Sequence, residues 1–366
     1  MSSNPLLALK ALGQSIWLDY IERDLLDGGG LASLIKNDGV SGVTSNPSIF
    51  HKAITQTGQY DETISMLANQ GADADQIYLN LVVDDIRTAA DVLRPVYDAT
   101  DGSDGYVSLE VSPHLAHDAV ASIEQGRWLW RQVGRSNLMI KIPGTRAGLA
   151  AIERLIFEGI NVNVTLLFSV DRYKDVIDAY LSGLESRNRA QLPLDRVASV
   201  ASFFLSRIDS AVDKKLSELD PDLCGRTAIA SAKSAYQVFS EVGASERWTK
   251  LSKTGAQPQR LLWASTSTKN PQYSDVMYVE NLIGQQTVNT LPPKTLDAYR
   301  DHGQPQPRIG SEVELYNQSL TKLAKLGIDL HAIAKSLEDE GLEKFSNSFD
   351  ALMQSLESER VRLRSA

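Results

Sequence analysis

Asn137-Leu138-Met139-Ile140-Lys141-Ile142-Pro143-Gly144-Thr145 is a short apolar run with one lysine set inside it. Strand side chains alternate between faces, so Leu138, Ile140 and Ile142 share one face and Met139 and Lys141 the other. Pro143-Gly144-Thr145 ends the strand, and the spacing of Leu149, Ile152, Leu155 and Ile156 predicts a helix over 146–158. Strand, lysine near its carboxyl end, turn and helix make up the unit in which barrels and doubly wound enzymes keep their chemistry.

The unit recurs on both sides of this stretch. Further strands are predicted over 15–19, 40–45, 106–111, 161–167, 197–204, 260–265 and, more weakly, 286–291. Helices are predicted over 59–68, 73–97, 115–133, 170–189, 206–219 and 228–241, with shorter or broken pieces at 6–12, 25–37 and 273–282. Asn46-Pro47 reads as an N-cap followed by proline at the first helical position. Eight alternations predict an α/β fold, a (β/α)8 TIM barrel over about 15–300. A proline-containing linker at 302–307 then leads to two or three helices within 311–358. These form a C-terminal helical addition over about 308–366 within a single domain of 1–366.

A chain of 366 residues, 42% of them hydrophobic, has the material for a large core. Its formal charge of -9 argues against a general binder of nucleic acid or anionic membrane. The single cysteine, Cys224, allows no intramolecular disulfide and suits a reducing cytoplasm. No apolar run reaches the ~18 residues of a membrane helix, and Met1-Ser2-Ser3-Asn4-Pro5 lacks a signal-peptide pattern. His114 and His117 have no cysteine partners and no His-Glu-x-x-His run, and Gly28-Gly29-Gly30 follows no strand. No metal and no cofactor is therefore expected. The expected state is a cytoplasmic monomer or homodimer.

Polar positions on the predicted strands carry the functional argument. Asn161, Asn163 and Thr165 alternate with Val162, Val164 and Leu166; Ser108 and Glu110 oppose Val107, Leu109 and Val111; Ser202 and Phe204 share a face. A parallel strand is covered on both sides, so these polar groups line a site or the barrel interior. Asp19, Asn46, Glu110, Lys141, Asn163, Thr165 and Ser202 all fall near carboxyl ends of strands, the active face of such a barrel.

Desolvation disfavours the ammonium form of a buried lysine, and a neutral amine there attacks a ketone or aldehyde to form a Schiff base. Carbon–carbon cleavage beside a hydroxyl needs a base, and carbinolamine dehydration needs an acid; Asp19 and Glu110 are the candidates, their division of labour open. Asn46 and Asn163 suit substrate hydroxyls, and Thr165 and Ser202 suit a positioned water. Arg207, Ser265, Ser267 and Lys269, in loops after the sixth and seventh strands, have the chemistry of a phosphate site.

At these residues the chain resembles the transaldolase family, in its longer bacterial type, from Asp19 through Lys269. Val43-Thr44-Ser45-Asn46-Pro47-Ser48 is similar to the family's second-strand signature, and Val162-Asn163-Val164-Thr165-Leu166-Leu167-Phe168-Ser169 to its fifth-strand one. The resemblance implies a Schiff base on Lys141, Asp19 as acid and base for the cleaved hydroxyl, and Glu110 with Thr165 handling a catalytic water. It implies Asn46, Asn163 and Ser202 around a dihydroxyacetone unit, Arg207, Ser267 and Lys269 around the phosphate, and Thr44 and Phe204 as further substrate-binding residues. The implied reaction converts sedoheptulose 7-phosphate and glyceraldehyde 3-phosphate to erythrose 4-phosphate and fructose 6-phosphate in the non-oxidative pentose phosphate pathway, without a cofactor.

Phe203, where a proline is common, and Lys269, where many members have arginine, depart from the pattern; lysine lacks the bidentate fork. The alternatives are a fructose 6-phosphate aldolase releasing dihydroxyacetone, whose members resemble this chain but carry tyrosine at the Phe204 position and lack Glu110, and a non-catalytic barrel binding a sugar phosphate.

Overall fold

In the computed structural model, which describes residues 4–364, the strands are β1 (Gln14–Leu18), β2 (Val40–Val43), β3 (Tyr106–Glu110), β4 (Leu138–Pro143), β5 (Val162–Leu167), β6 (Ser199–Phe204), β7 (Arg260–Ala264) and β8 (Thr287–Leu291). They pair in parallel in chain order, and β8 closes on β1 from Gln14↔Thr287 to Leu18↔Leu291. The expected closed barrel with helices between strands is present. Nearly every strand position is buried, because helices cover the outer face and side chains fill the inner one.

Packing inside the barrel is tight enough to dictate residue size. The Trp17 ring fills the space beside Gly42, where an added Cβ would lie 2.5 Å from ring carbons. Trp17 Nε1 donates to Asp104 Oδ1 at 2.8 Å, so the indole is satisfied within the interior.

The helices between strands differ from the sequence expectation at a few ends. The broken helix near 25–37 is two, Arg23–Asp27 and Gly30–Asp38, and the piece near 273–282 is one turn, Met277–Glu280. Glu246–Ser252 and Pro293–His302 are helices in stretches that the sequence reading leaves unassigned. The first is too short for a clear apolar period. The second begins on Pro292-Pro293, a pair that reads as a turn until the preceding strand is in place.

Beyond the barrel lie two helices, Val313–Lys325 and Leu330–Arg364. Lys233 Nζ donates to Arg308 O and Ser311 O at 2.6 Å each, clamping the linker that leads to them. The last helix runs 35 residues, about 50 Å at 1.5 Å per residue, and packs against Pro47–Gln56, Asp61–Asn69 and Ser206–Leu219. No helix among the described residues is long and apolar enough to cross a membrane.

Candidate active site

Strand register decides the neighbours of Lys141. Glu110 of β3 stands opposite Lys141, and Lys141 opposite Asn163 of β5. Adjacent strands lie about 4.8 Å apart, so side chains at matched positions meet. Lys141 Nζ donates to Ser45 O at 2.9 Å and lies 2.9 Å from Glu110 Oε1, with side chains 6% and 9% exposed. Apart from this ion-pair contact, neither Glu110 oxygen has a hydrogen-bond partner. Burial pushes the Glu110 carboxyl above the usual carboxylate range, Lys141 pulls it back, and Asp19 pushes it up again.

Asp19 follows β1 directly and is anchored by its backbone, whose N–H donates to Leu291 O at 2.8 Å. Thr44 Oγ1 donates to Asp19 Oδ1 at 2.7 Å; with its one proton so used, Thr44 accepts from Thr290 Oγ1 at 2.7 Å. By accessible surface Asp19 is half-buried, yet protein atoms crowd the carboxylate closely enough that desolvation dominates. Its pKa is raised by that burial, against the Thr44 hydrogen bond and the charges of Lys141 and Lys269.

On β5 the expected alternation stops at Thr165. The register against β6 shifts between Val164 and Leu167, and Leu166 takes φ 61°, a left-handed conformation costly for a branched side chain. The extra residue leaves Thr165 Oγ1 buried without a protein partner. Asn163 lies deeper: Nδ2 donates to Ser108 Oγ at 3.0 Å and Oδ1 accepts from Ser202 Oγ at 2.7 Å. It orients Ser202 from behind the cavity wall, a placement that strand alternation alone does not reveal.

Asn46 caps helix Pro47–Gln56, its Oδ1 accepting from Ile49 N at 3.1 Å. Arg207, in the first turn of helix Ser206–Leu219, lies over the Phe204 ring at 5.6 Å and keeps Nη1 buried without a partner. Desolvation holds the guanidinium below its usual pKa, with Glu340 opposing. Lys269 Nζ donates to Ser267 Oγ at 2.7 Å; burial and then the charge of Arg207 lower its pKa, with Asp19 opposing. Arg207 and Lys269, close enough for the charge of one to act on the other, together suit a doubly charged phosphate.

These groups surround one cavity of about 240 Å³, lined by Asp19, Thr44, Asn46, Lys141, Thr165, Ser202, Phe204, Arg207, Ser267 and Lys269. Glu110 and Asn163 stand immediately behind the wall. Lys141 and Asp19 line it together with the cations Arg207 and Lys269, an arrangement fit to hold a phosphorylated ketose with its carbonyl at the lysine. A larger cavity of about 340 Å³, walled by Tyr180, Tyr236, Phe239 and Trp248 and with no charged side chain, holds none of the expected residues. Among the described residues no cluster of histidine, cysteine, aspartate and glutamate is placed to hold a metal.

Three contributors escape the sequence reading. The Ser45 carbonyl carries no side-chain signal, and Thr290 joins through the hydroxyl contact from β8 to Thr44, the residue after β2. Phe345 comes from the last helix, buried in the same cavity, with its ring centroid 5.9 Å from Lys141 Nζ.

Residues 16–356 match the family model described as Transaldolase/Fructose-6-phosphate aldolase. The chain is 49% identical over 346 residues to a transaldolase of Thiobacillus denitrificans, covering 93% of this chain and 96% of the relative. It is 48% identical over 378 residues to Transaldolase 2 of a Nostoc species, with 99% of each chain covered. A transaldolase of Mycolicibacterium smegmatis is 47% identical over 365 residues, with 98% of each covered.

Proposed function

The chain belongs to the transaldolase/fructose-6-phosphate aldolase family, and from that premise we propose that it works as a transaldolase, moving a dihydroxyacetone unit between sugar phosphates through a Schiff base on Lys141. The observation that carries this reading is the buried Lys141–Glu110 pair, 2.9 Å apart, with its lysine lining a cavity that Arg207 and Lys269 also line.

Glu110, with its raised proton affinity, takes a proton from the Lys141 ammonium, and the freed lone pair attacks the ketone carbon of a ketose phosphate. Carbinolamine loses water as Glu110 returns the proton to the departing oxygen; Thr165 Oγ1 holds that water. Asp19 then accepts the proton of the hydroxyl on the far carbon of the scissile bond, the carbon β to the iminium carbon. The carbon–carbon bond breaks, its electron pair flows to the iminium nitrogen, and the aldose phosphate leaves. The enamine remaining on Lys141 attacks the acceptor aldehyde, and the same steps run in reverse. Ser202, oriented by Asn163, and Asn46 hold the hydroxyls of the three-carbon unit, while Arg207, Ser267 and Lys269 hold the phosphate.

Transfer is favoured over simple aldol release because Glu110 and Phe204 are both at the site and the relatives reported above are transaldolases. The proposal places the enzyme in the cytoplasm, where a free Cys224 thiol is stable. Borohydride reduction during turnover of fructose 6-phosphate, followed by peptide mapping, should find a three-carbon adduct on Lys141 that erythrose 4-phosphate discharges. Lys141→Ala should lose adduct and turnover together; a variant that still forms either removes the mechanism.

A further inference from the structure

Helix Leu330–Arg364 is fastened across the barrel mouth on both sides of Lys141. On one side Ser48 Oγ donates to Ser348 Oγ at 2.8 Å, and His114 Nε2 lies 2.7 Å from Asp350 Oδ1. Phe349 meets Tyr78 edge-on, ring centroids 5.4 Å apart. On the other side Gly341 passes so close that a Cβ would lie 2.9 Å from Leu166 Cδ2 and 3.4 Å from Arg207 Nη1. Residues 341, 345 and 348 fall on one helical face at i, i+4 and i+7. Phe345 is therefore aimed down between the two fastenings.

Phe345 is 8% exposed and is the one cavity wall, among the described residues, contributed from beyond the barrel. It has no proton to give or take, so the ketol chemistry assigns it no step. An aromatic ring 5.9 Å from Nζ instead occupies the approach to the nitrogen and the carbon bonded to it.

We propose that Phe345 is a positioning residue that keeps bulk water, the proton donor for escape, from the enamine carbon held on Lys141, so that the three-carbon unit passes to an aldehyde instead of escaping as free dihydroxyacetone. The inference rests on the Schiff-base reading. In the escape reaction the enamine takes up a proton at the carbon that the aldose left. Water oxygen then adds to the iminium carbon, and the carbon–nitrogen bond breaks with its electron pair returning to Lys141. The water oxygen becomes the ketone oxygen, and its protons end on the amine and solvent. Hydrolysis of an imine ends escape and transfer alike, so access of a proton-donating water to the enamine carbon decides between release and transfer.

The test uses the full chain with fructose 6-phosphate, with and without erythrose 4-phosphate. It reads free dihydroxyacetone against sedoheptulose 7-phosphate, with borohydride trapping alongside. Phe345→Ala should raise the ratio of release to transfer about tenfold while Lys141 is still trapped, and Phe345→Leu, which keeps apolar cover, should stay within about twofold of the unsubstituted enzyme. An unchanged ratio in Phe345→Ala, or equal leakage in Phe345→Leu, overturns the inference. If Phe345→Ala does not fold, Phe345→Gln, which keeps the length of the side chain but brings a group that hydrogen-bonds water, should raise the ratio likewise, and an unchanged ratio there overturns the inference equally. Failure of the Schiff-base reading is distinguishable, since Lys141 of the unsubstituted enzyme would then not be trapped at all.

Discussion

Replacing Asp19 by asparagine removes a proton acceptor and leaves the surrounding geometry in place. The amide oxygen still accepts the 2.7 Å hydrogen bond from Thr44, and the backbone N–H keeps its 2.8 Å bond to Leu291 O. Lys141, Glu110 and Thr165 keep their own contacts, so imine formation should continue. Only the step in which a hydroxyl gives up its proton as the carbon–carbon bond breaks loses its base. General base catalysis contributes about 10²–10⁴ in rate, or about 3–5 kcal/mol of barrier. Rapid mixing with fructose 6-phosphate and quenching into borohydride separates the steps by mass. The unsubstituted enzyme should yield the three-carbon adduct, whereas Asp19→Asn should accumulate the uncleaved six-carbon phosphorylated adduct. The pH profile gives a second reading: because burial raises the Asp19 pKa, cleavage should rise with pH through a value above the ordinary carboxylate range, and that limb should vanish in the variant. A three-carbon adduct formed at the unsubstituted rate would refute the reasoning. So would loss of both adducts, which would put Asp19 in imine formation.

Arg207→Ala should weaken use of fructose 6-phosphate about 10- to 100-fold in kcat/KM, since a charge-assisted hydrogen bond contributes about 1.5–3 kcal/mol, and should leave unphosphorylated fructose nearly unaffected. An equal loss with both sugars would remove Arg207 from the phosphate site. Asp209 lies outside the cavity, buried, with Oδ1 accepting from Ala228 N at 2.8 Å and Oδ2 from Tyr278 OH at 2.7 Å. Burial pushes its carboxyl from 3.8 up to about 7. The folded state therefore binds this proton more tightly than the unfolded chain does. The stabilisation is complete below about pH 4 and is lost as pH rises through about 7, by at most about 4 kcal/mol. Asp209→Asn should flatten the fall of Tm between about pH 4 and pH 7; an unchanged slope would place the titration elsewhere.

Much of the fold is legible because each βα unit carries its pattern locally. Alternation with period two and helices with period 3.6 lie within a dozen residues, and buried parallel strands cannot hide a polar face. Eleven of the thirteen expected site residues, Ser265 among them, line the cavity, since a carboxyl-terminal strand position is enough to bring a side chain to the mouth. Asn163 and Glu110 stand one layer back. Strand periodicity reports which face a residue takes and not how deep it lies, which the register of β3, β4 and β5 sets.

By itself, then, the sequence determined the alternating units, the lysine at the end of β4 and the cations after β6 and β7, all features written within single units. Only the tertiary structure decided that Glu110 and not Asp19 pairs with Lys141, that Leu166 interrupts β5 beneath Gly341, and that Phe345 roofs the amine. Those contacts depend on interstrand register and on where a helix of 35 residues lands after the barrel has closed. Partners so far apart in the chain leave no period in it, because what selects them is the shape left between elements already packed.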